Sequence, residues 1–129
     1  DNIQNIICRQ LKSRRQIEIT LALKKLLSED SHINRRPSYY AQLLHISPVY
    51  LNEVVKNITG TTASKYIQDE IILRAKRMLI YTTLSIKEIA FNLGFDDHTY
   101  FTRLFTQTAG LSPTTYRKKY LEESNHYPI

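Results

Sequence analysis

A pattern of apolar and turn-forming residues occurs twice in this chain, and it constrains the fold more than any other feature. The paired positions lie 50 residues apart: Tyr50-Leu51 with Tyr100-Phe101, Val54-Val55 with Leu104-Phe105, Thr59-Gly60 with Ala109-Gly110, and Tyr66 with Tyr116. Upstream, residues 41–47 match residues 90–96 at an offset of 49, and in each stretch an alanine precedes a turn position, His45 or Gly94, by four residues. A small residue inside one helix, a tight turn and a cap that opens a second helix are typical of a helix-turn-helix. Two copies in register predict two such lobes.

The rest of the chain predicts further helices and no strand. Apolar residues from Ile3 to Leu27 recur at helical spacing, either in one long helix or in two that break near Ser13. A loop is predicted over residues 28–38, and a linker helix should start at residue 61 or 62 and end near Tyr81. A last short helix should run from Pro113 to residues 117–119. The predicted fold class is all-α: two helix-turn-helix lobes joined by a central linker helix, with an extra N-terminal helical segment.

The charge of the chain favours a polyanionic partner. Its 129 residues include 18 Lys and Arg against 12 Asp and Glu, which gives a formal net charge of +6. A basic helix-turn-helix protein is expected to bind nucleic acid. From net charge alone, a basic surface that is only solvated remains the alternative. The hydrophobic content of 42% is that of a globular protein, and the length fits one domain or two small lobes that share a core.

These features predict how the chain is divided. Residues 1–30 form an N-terminal helical segment, which we expect to hold the tail of a missing upstream domain and the first helix of a DNA-binding domain. Residues 31–120 form the double helix-turn-helix domain, with lobe one at about 31–61, the linker helix at about 62–81 and lobe two at about 82–120. Residues 121–129 are the predicted C-terminal tail.

Several kinds of site are not expected in this sequence. Cys8 is the only cysteine, so no internal disulfide or thiolate cluster can form, and it is predicted to be a packing residue in a reducing compartment. The four histidines match no metal-ligand spacing, and no catalytic arrangement such as a nucleophile elbow is found. We therefore expect no enzyme activity, no cofactor and no metal. Without a long apolar run or a signal peptide, the predicted location is the cytoplasm, with no membrane span.

The second helix of each lobe carries the predicted base contacts. One side of each helix is predicted to be buried, with Leu51, Val54, Val55 and Ile58 in lobe one and Phe101, Leu104 and Phe105 in lobe two. In this motif the exposed N-terminal half enters the major groove. The residues expected to contact bases are Val49, Asn52, Glu53, His98, Thr99, Thr102 and Arg103.

The chemistry of these side chains suggests particular partners. Asn52 can pair with adenine N6 and N7 or with a phosphate, and Arg103 can grip guanine O6 and N7 with two hydrogen bonds. Arg103 could instead bind a phosphate or a carboxylate of the protein. Glu53 either accepts a hydrogen bond from cytosine N4, repels phosphates, or is an ordinary surface residue. We expect lobe two to supply most of the base discrimination.

Contacts to the DNA backbone are expected from basic and hydroxyl side chains near the helix ends and on the linker. These residues are Arg36, Ser47, Tyr50, Lys56, Lys76, Ser85, Lys87, Arg117 and Lys118. The tyrosines Tyr66, Tyr100 and Tyr116 recur with the repeat, and they are predicted to pack in the core and not to stack on bases.

Three stretches of the sequence resemble a known family. They are Tyr40-Ala41-x-x-Leu44-x-Ile46-Ser47-Pro48-x-Tyr50-Leu51, Ala75-x-x-x-Leu79, and Ile86-x-Glu88-Ile89-Ala90-x-x-x-Gly94-Phe95-x-Asp97-x-x-Tyr100-Phe101-x-Arg103-x-Phe105-x-x-x-x-Gly110-x-x-Pro113-x-x-Tyr116-Arg117. Over residues 32–120 the chain resembles the DNA-binding half of AraC/XylS-type bacterial transcription regulators. The resemblance implies two helix-turn-helix lobes tied by a central helix, and base contacts at the seven positions named above.

Two classes of function follow. The first is sequence-specific binding of double-stranded DNA by the DNA-binding domain of such a regulator, with RNA polymerase as a partner and a homodimer formed through a missing N-terminal domain. The second is a helical interaction module that contacts RNA polymerase or another protomer with little base reading. Arg103 and the basic stretch favour the first class.

Overall fold

A computed structural model describes residues 2–29 and 33–125, with side chains described as far as residue 123. Within this part of the chain every regular element is a helix, so the predicted all-α fold is confirmed. The helices are α1 (Asn2–Glu29), α2 (Pro37–Leu43), α3 (Pro48–Thr59), α4 (Ala63–Tyr81), α5 (Ile86–Asn92), α6 (His98–Ala109) and α7 (Pro113–Asn125). None of these helices combines the length and the apolar character needed to cross a membrane.

The described residues fall into two compact units. The first contains α1, α2, α3 and the beginning of α4 through Gln68, and the second contains residues 33–34 and the chain from Asp69 onward. Each unit holds one copy of the repeat. In these units α1 lies with the first copy, and residues 33–34 lie with the second.

In the first unit, α1 is a single unbroken helix, so the alternative with a break near Ser13 is wrong. Only its second half is buried, at Gln16, Thr20, Leu23 and Leu27, and α1 packs against α3. The buried hydroxyl of Thr20 donates to the Gln16 carbonyl oxygen at 2.9 Å, which satisfies its hydrogen-bonding capacity within the helix. The first half of α1 is exposed. Cys8 lies there and is exposed, so its predicted packing role is wrong.

The first helix-turn-helix consists of α2, a short turn and α3. Pro37 occupies the first position of α2, where the missing N–H removes no helical hydrogen bond. The turn places His45 at a φ of 59°, and the amide of Ile46 donates to the Ala41 carbonyl oxygen at 3.0 Å. Ser47 caps α3 by accepting from the Tyr50 amide at 3.1 Å. The predicted loop over residues 28–38 is shorter than expected, because α1 continues to Glu29 and α2 starts at Pro37.

The second helix-turn-helix consists of α5, a turn at Gly94 and α6. A capping box opens α5, since the Ser85 hydroxyl accepts from the Glu88 amide and the Glu88 carboxylate accepts from the Ser85 amide. Gly94 has a φ of 84°, and a Cβ at this position would collide with the carbonyl oxygen of Ile33. Asp97 caps α6 and accepts from the Thr99 amide at 2.9 Å.

An aromatic cluster fills the second unit. The ring of Phe101 lies 5.2 Å from that of Phe95 and 6.0 Å from that of Phe105, and Phe105 meets Tyr116 edge to face at 5.5 Å. Aromatic pairs at these separations add stability beyond the area they bury. Tyr100 departs from its predicted core position, because 45% of it is exposed.

Three apolar positions differ from the predicted burial. Ile58, which was assigned to the buried side of α3, is exposed, while Ile72 of α4 is buried although it was not predicted to be. Leu104, which was assigned to the buried side of α6, is only half-buried. Helical periodicity locates the centre of a buried face, but neighbouring elements determine how wide that face is.

The last helix is longer than predicted. It continues past Lys119 to Asn125, because neither glycine nor proline follows until Pro128. Residues 121–125 of the predicted tail are therefore helical, and residues 126–129 lie outside the described residues.

Candidate nucleic-acid interface

The two candidate reading helices, α3 and α6, share the same length and the same kinds of cap in their own units. Each has 12 residues, a capping side chain at its N terminus and a glycine with φ of 82° directly after its last residue. The buried sides are formed by Leu51, Val54 and Val55 in α3 and by Phe101 and Phe105 in α6. Because these apolar side chains are buried, they determine which side of each helix faces the core, and the residues between them face outward.

In α3 the predicted base-contact residues are all at the surface. Val49 is 79% exposed, and both Asn52 and Glu53 are exposed. Asn52 nevertheless has a partner within the protein, because its Oδ1 accepts a hydrogen bond from the Ala63 amide at 2.9 Å. The predicted pairing with adenine N6 and N7 needs that oxygen as the acceptor. In the free protein this oxygen is already engaged, while the Asn52 amide NH₂ remains able to donate to DNA.

In α6 three of the four predicted base-contact residues are exposed, namely His98, Thr99 and Arg103. Thr102 is half-buried beside them. His98 and Thr99 occupy the first turn, where the positive end of the helix dipole and the N-terminal amides favour phosphate oxygens. Arg103 lies one turn further along, on the outer side of the helix.

Seven of the nine predicted backbone-contact residues divide into three groups. Lys56, Lys87 and Lys118 are exposed, and Arg36 is exposed directly before α2. Ser47 and Ser85 use their oxygens as caps, which leaves each hydroxyl hydrogen able to donate to a phosphate. Tyr50 is half-buried.

Arg117 has hydrogen-bond partners within the second unit. Its Nε donates to the Leu79 carbonyl oxygen at 2.9 Å and its Nη2 donates to the Thr82 carbonyl oxygen at 3.2 Å. The guanidinium therefore caps the C-terminal end of α4, where orphan carbonyls and the helix dipole favour a cation. These two bonds leave the Nη1 hydrogens and one Nη2 hydrogen of the guanidinium able to donate, so the predicted contact of Arg117 with the DNA backbone stays a prediction.

Lys76 also contacts a residue within the second unit. Its Nζ lies 5.9 Å from the centre of the Tyr116 ring, within the range of a cation–π interaction. Burial raises the pKa of the Tyr116 hydroxyl, and Tyr120 raises it further, so the phenol beneath the lysine stays neutral at physiological pH. The half-buried Lys76 thus contributes to packing in the second unit.

Neighbouring residues do not indicate the hydrogen bonds of Asn52 and Arg117, because their partners are distant along the chain. For Asn52, the repeat itself contains the clue. Ala63 occupies the position that corresponds to Pro113, so the first copy has a backbone amide that the second copy lacks.

Comparison with known proteins identifies the type of domain. Residues 40–119 match the family model described as a helix-turn-helix domain. The arabinose operon regulatory protein of Escherichia coli is 33% identical over 89 residues, which cover 69% of this chain and 30% of that protein. The HTH-type transcriptional regulator YfiF of Bacillus subtilis is 37% identical over 103 residues, which cover 80% of this chain and 31% of that protein.

The chain belongs to the AraC/XylS type of helix-turn-helix DNA-binding domains. It spans about a third of the length of the curated relatives that it matches. Among solved structures, the C-terminal domain of AraT, a response regulator from Geobacillus stearothermophilus, is similar with a TM-score of 0.70 and 29% identity, over 78% of this chain and 84% of that one.

Within this AraC/XylS-type domain the two copies differ most in charge. Glu53 on α3 corresponds by the offset of 50 to Arg103 on α6. Both are exposed on the outer side of their helices, so the same surface position is anionic in one unit and cationic in the other. Equal affinity for phosphates is therefore not expected from the two reading helices.

Proposed function

We propose that this chain binds double-stranded DNA in a sequence-specific way, as the DNA-binding part of a bacterial transcription regulator. The observation that carries the proposal is that α3 and α6 each bury one side on apolar anchors and expose polar and charged residues along the other. The net charge of +6 supports it, since phosphate neutralisation by Lys and Arg supplies much of the affinity for DNA.

The base contacts in this proposal come from Val49 and Glu53 on α3 and from His98, Thr99, Thr102 and Arg103 on α6. Phosphate contacts come from Lys56, Lys87, Lys118 and Arg36, with the hydroxyls of Ser47, Ser85 and Tyr50. Arg103 has the strongest chemistry for base discrimination because its guanidinium can bind guanine O6 and N7 together.

A randomised-site selection tests this function. The selected duplexes should contain two informative blocks about 10 bp apart, one for each lobe, and the logarithm of the binding constant should fall linearly with the logarithm of salt concentration. Lys118→Ala should reduce the salt slope by about 1 and leave the selected sequence unchanged. A selection that enriches no sequence, or binding that does not respond to salt, would rule out this function.

One observation favours a second function, as an interaction module that contacts another protomer. The outer side of α1 exposes Ile3, Ile7, Ile17 and Leu21, to between 45% and 66%. With Gln10 and Arg14 between them, these residues have the alternating three- and four-residue spacing of a coiled-coil seam. We propose a second copy of the chain as the partner of this face.

The order of residues on this face favours an antiparallel pair. An antiparallel register places Ile3 opposite Leu21 and Ile7 opposite Ile17. It also sets the Gln10 amide against Arg14, where the amide oxygen can accept a hydrogen bond from the guanidinium. A parallel pair would instead bring two Arg14 side chains together, and that repulsion disfavours it.

Sedimentation equilibrium separates this function from DNA binding. The parent chain should dimerise with rising concentration, Ile7→Glu should be monomeric, and the control Lys12→Glu on the opposite side of α1 should dimerise like the parent. A parent chain that stays monomeric throughout would refute this interface. We further propose that the whole protein acts in the cytoplasm. We also propose that it contacts RNA polymerase, which a pull-down with purified polymerase would test.

A further inference from the structure

In the first unit, one side chain of α3 forms a hydrogen bond with the N terminus of α4. Asn52 accepts a hydrogen bond from the backbone N–H of Ala63 at 2.9 Å. Ala63 is the first residue of α4 and is only 1% exposed. Its N–H belongs to the helix-terminal amides that have no acceptor within the helix, and a buried amide left without a partner is strongly destabilising.

The cap residue of α4 does not satisfy this amide. The Thr62 hydroxyl accepts from the Lys65 amide at 3.1 Å, and the Thr62 carbonyl oxygen accepts from the Tyr66 amide at 2.9 Å. The acceptor for Ala63 must therefore come from elsewhere. Asn52 supplies it from the preceding helix, 11 residues away in sequence.

The second unit has the same junction with different chemistry. By the offset of 50, Pro113 corresponds to Ala63 and Thr102 corresponds to Asn52. The cap is equivalent, because the Ser112 hydroxyl accepts from the Thr115 amide at 3.1 Å. The buried Pro113 has no N–H, so this junction needs no acceptor from α6. Over the residues that the structure describes, no hydrogen bond engages the Thr102 hydroxyl.

We propose that Asn52 is a positioning residue that docks the N terminus of α4 onto α3, and that it does not select a base. Because Pro113 has no N–H that needs an acceptor, the Thr102 hydroxyl can contact DNA. This inference rests on the proposed DNA binding by α3 and α6. Reading adenine needs the Asn52 oxygen as acceptor and its NH₂ as donor in one plane facing the groove, whereas the bond to Ala63 turns that oxygen toward α4. Base discrimination in the first lobe then falls to Val49 and Glu53.

A cycle of variants tests the docking role by thermal unfolding without DNA. Asn52→Ala should lower Tm by roughly 5 to 10 °C in the parent. In the Ala63→Pro background, where the N–H is absent, the same change should lower Tm by less than about 2 °C. The matched control in the second unit, Thr102→Ala, should change Tm by less than about 2 °C. Equal losses in the two backgrounds would overturn the inference.

If Ala63→Pro does not fold, a second pair of variants tests the docking role of Asn52. Asn52→Asp keeps an acceptor oxygen at the N terminus of α4, so it should keep the Tm of the parent. Asn52→Leu has a similar shape but no acceptor, so its Tm should fall as that of Asn52→Ala does. Equal Tm values for the Asp and Leu variants would contradict the docking role.

Base preference provides the readout that distinguishes positioning from base reading. In a randomised-site selection, Asn52→Ala should enrich the same bases at every position as the parent. Ala63→Pro releases the Asn52 oxygen and should add an adenine preference at one position of the first block. Loss of an adenine preference in Asn52→Ala at unchanged Tm would overturn the inference. Failure of the parent to select any sequence would instead refute the proposed function, and the unfolding cycle would still test the docking role.

Discussion

Replacing Gly94 by alanine should damage the second unit through two separate effects. Gly94 has a φ of 84°, a conformation that L residues rarely adopt, and a Cβ there would collide with the carbonyl oxygen of Ile33. Ile33 is 4% exposed, so its backbone has little room to retreat. Gly110 in the same unit has a φ of 82° and nothing within 4 Å of an added Cβ. The pair therefore separates backbone strain from steric collision.

The expected magnitudes follow from this comparison. An alanine in the left-handed conformation destabilises the folded protein by about 1 to 2 kcal/mol. The smaller conformational freedom of alanine in the unfolded chain offsets part of this loss of stability. We expect Gly110→Ala to lower the free energy of unfolding by about 1 kcal/mol. Gly94→Ala adds the displacement of a buried backbone, about 1 to 3 kcal/mol. At about 4 °C per kcal/mol for a chain of this size, the Tm should fall by about 4 °C for Gly110→Ala and by about 8 to 16 °C for Gly94→Ala.

Thermal and urea unfolding followed by far-UV circular dichroism would measure both variants against the parent. Gly60→Ala, with a φ of 82° and open space around it, serves as the control in the first unit and should resemble Gly110→Ala. If Gly94→Ala and Gly110→Ala lose the same stability, the contact with Ile33 is unimportant and the reasoning from close approach is refuted.

Three further predictions concern single side chains. His45→Gly relieves an L residue at a φ of 59° and should raise the free energy of unfolding by about 0.5 to 1 kcal/mol; a loss of stability would show that the imidazole makes compensating contacts. Arg117→Met removes the cap on α4 and should lower the free energy of unfolding by about 1 to 3 kcal/mol. Lys118→Met should change the free energy of unfolding by less than about 0.5 kcal/mol, and equal effects of the two substitutions in denaturant melts would contradict the capping role. Arg103→Ala should weaken binding by about 1 to 3 kcal/mol with relaxed preference at one base pair, and a uniform loss across sequences in titrations would assign Arg103 to a phosphate.

The elements that the sequence predicted correctly depend on chemistry between near neighbours. Ser47 and Ser85 cap helices because their hydroxyls reach amides three residues ahead, and Gly94 and Gly110 end or turn helices because the backbone there is left-handed. Such interactions repeat whenever the local residues repeat. The internal repeat therefore predicted the order of helices, the turns and the outward positions of Val49 and Arg103.

The features that were missed depend on contacts between distant parts of the chain. Asn52 is bound across 11 residues and Arg117 across 38, so neither partner is visible from neighbouring residues. A polar residue on an exposed helix position offers the same pattern whether it contacts DNA or another helix. The predicted DNA contacts of the remaining surface residues stay predictions until binding is measured.

The contact between Ile33 and Gly94 affects how this protein can be dissected. The second unit takes residues 33–34 from before α2 and the rest from Asp69 onward. A fragment that begins at residue 82, the predicted start of lobe two, would leave behind both Ile33 and the part of α4 that Arg117 caps. Such a fragment would also lack Ile72, Ala75 and Leu79, which are buried α4 residues of the second unit, so expression of single lobes should produce aggregation. A circularly permuted gene that keeps residues 33–34 with the second unit is the better route to an isolated lobe.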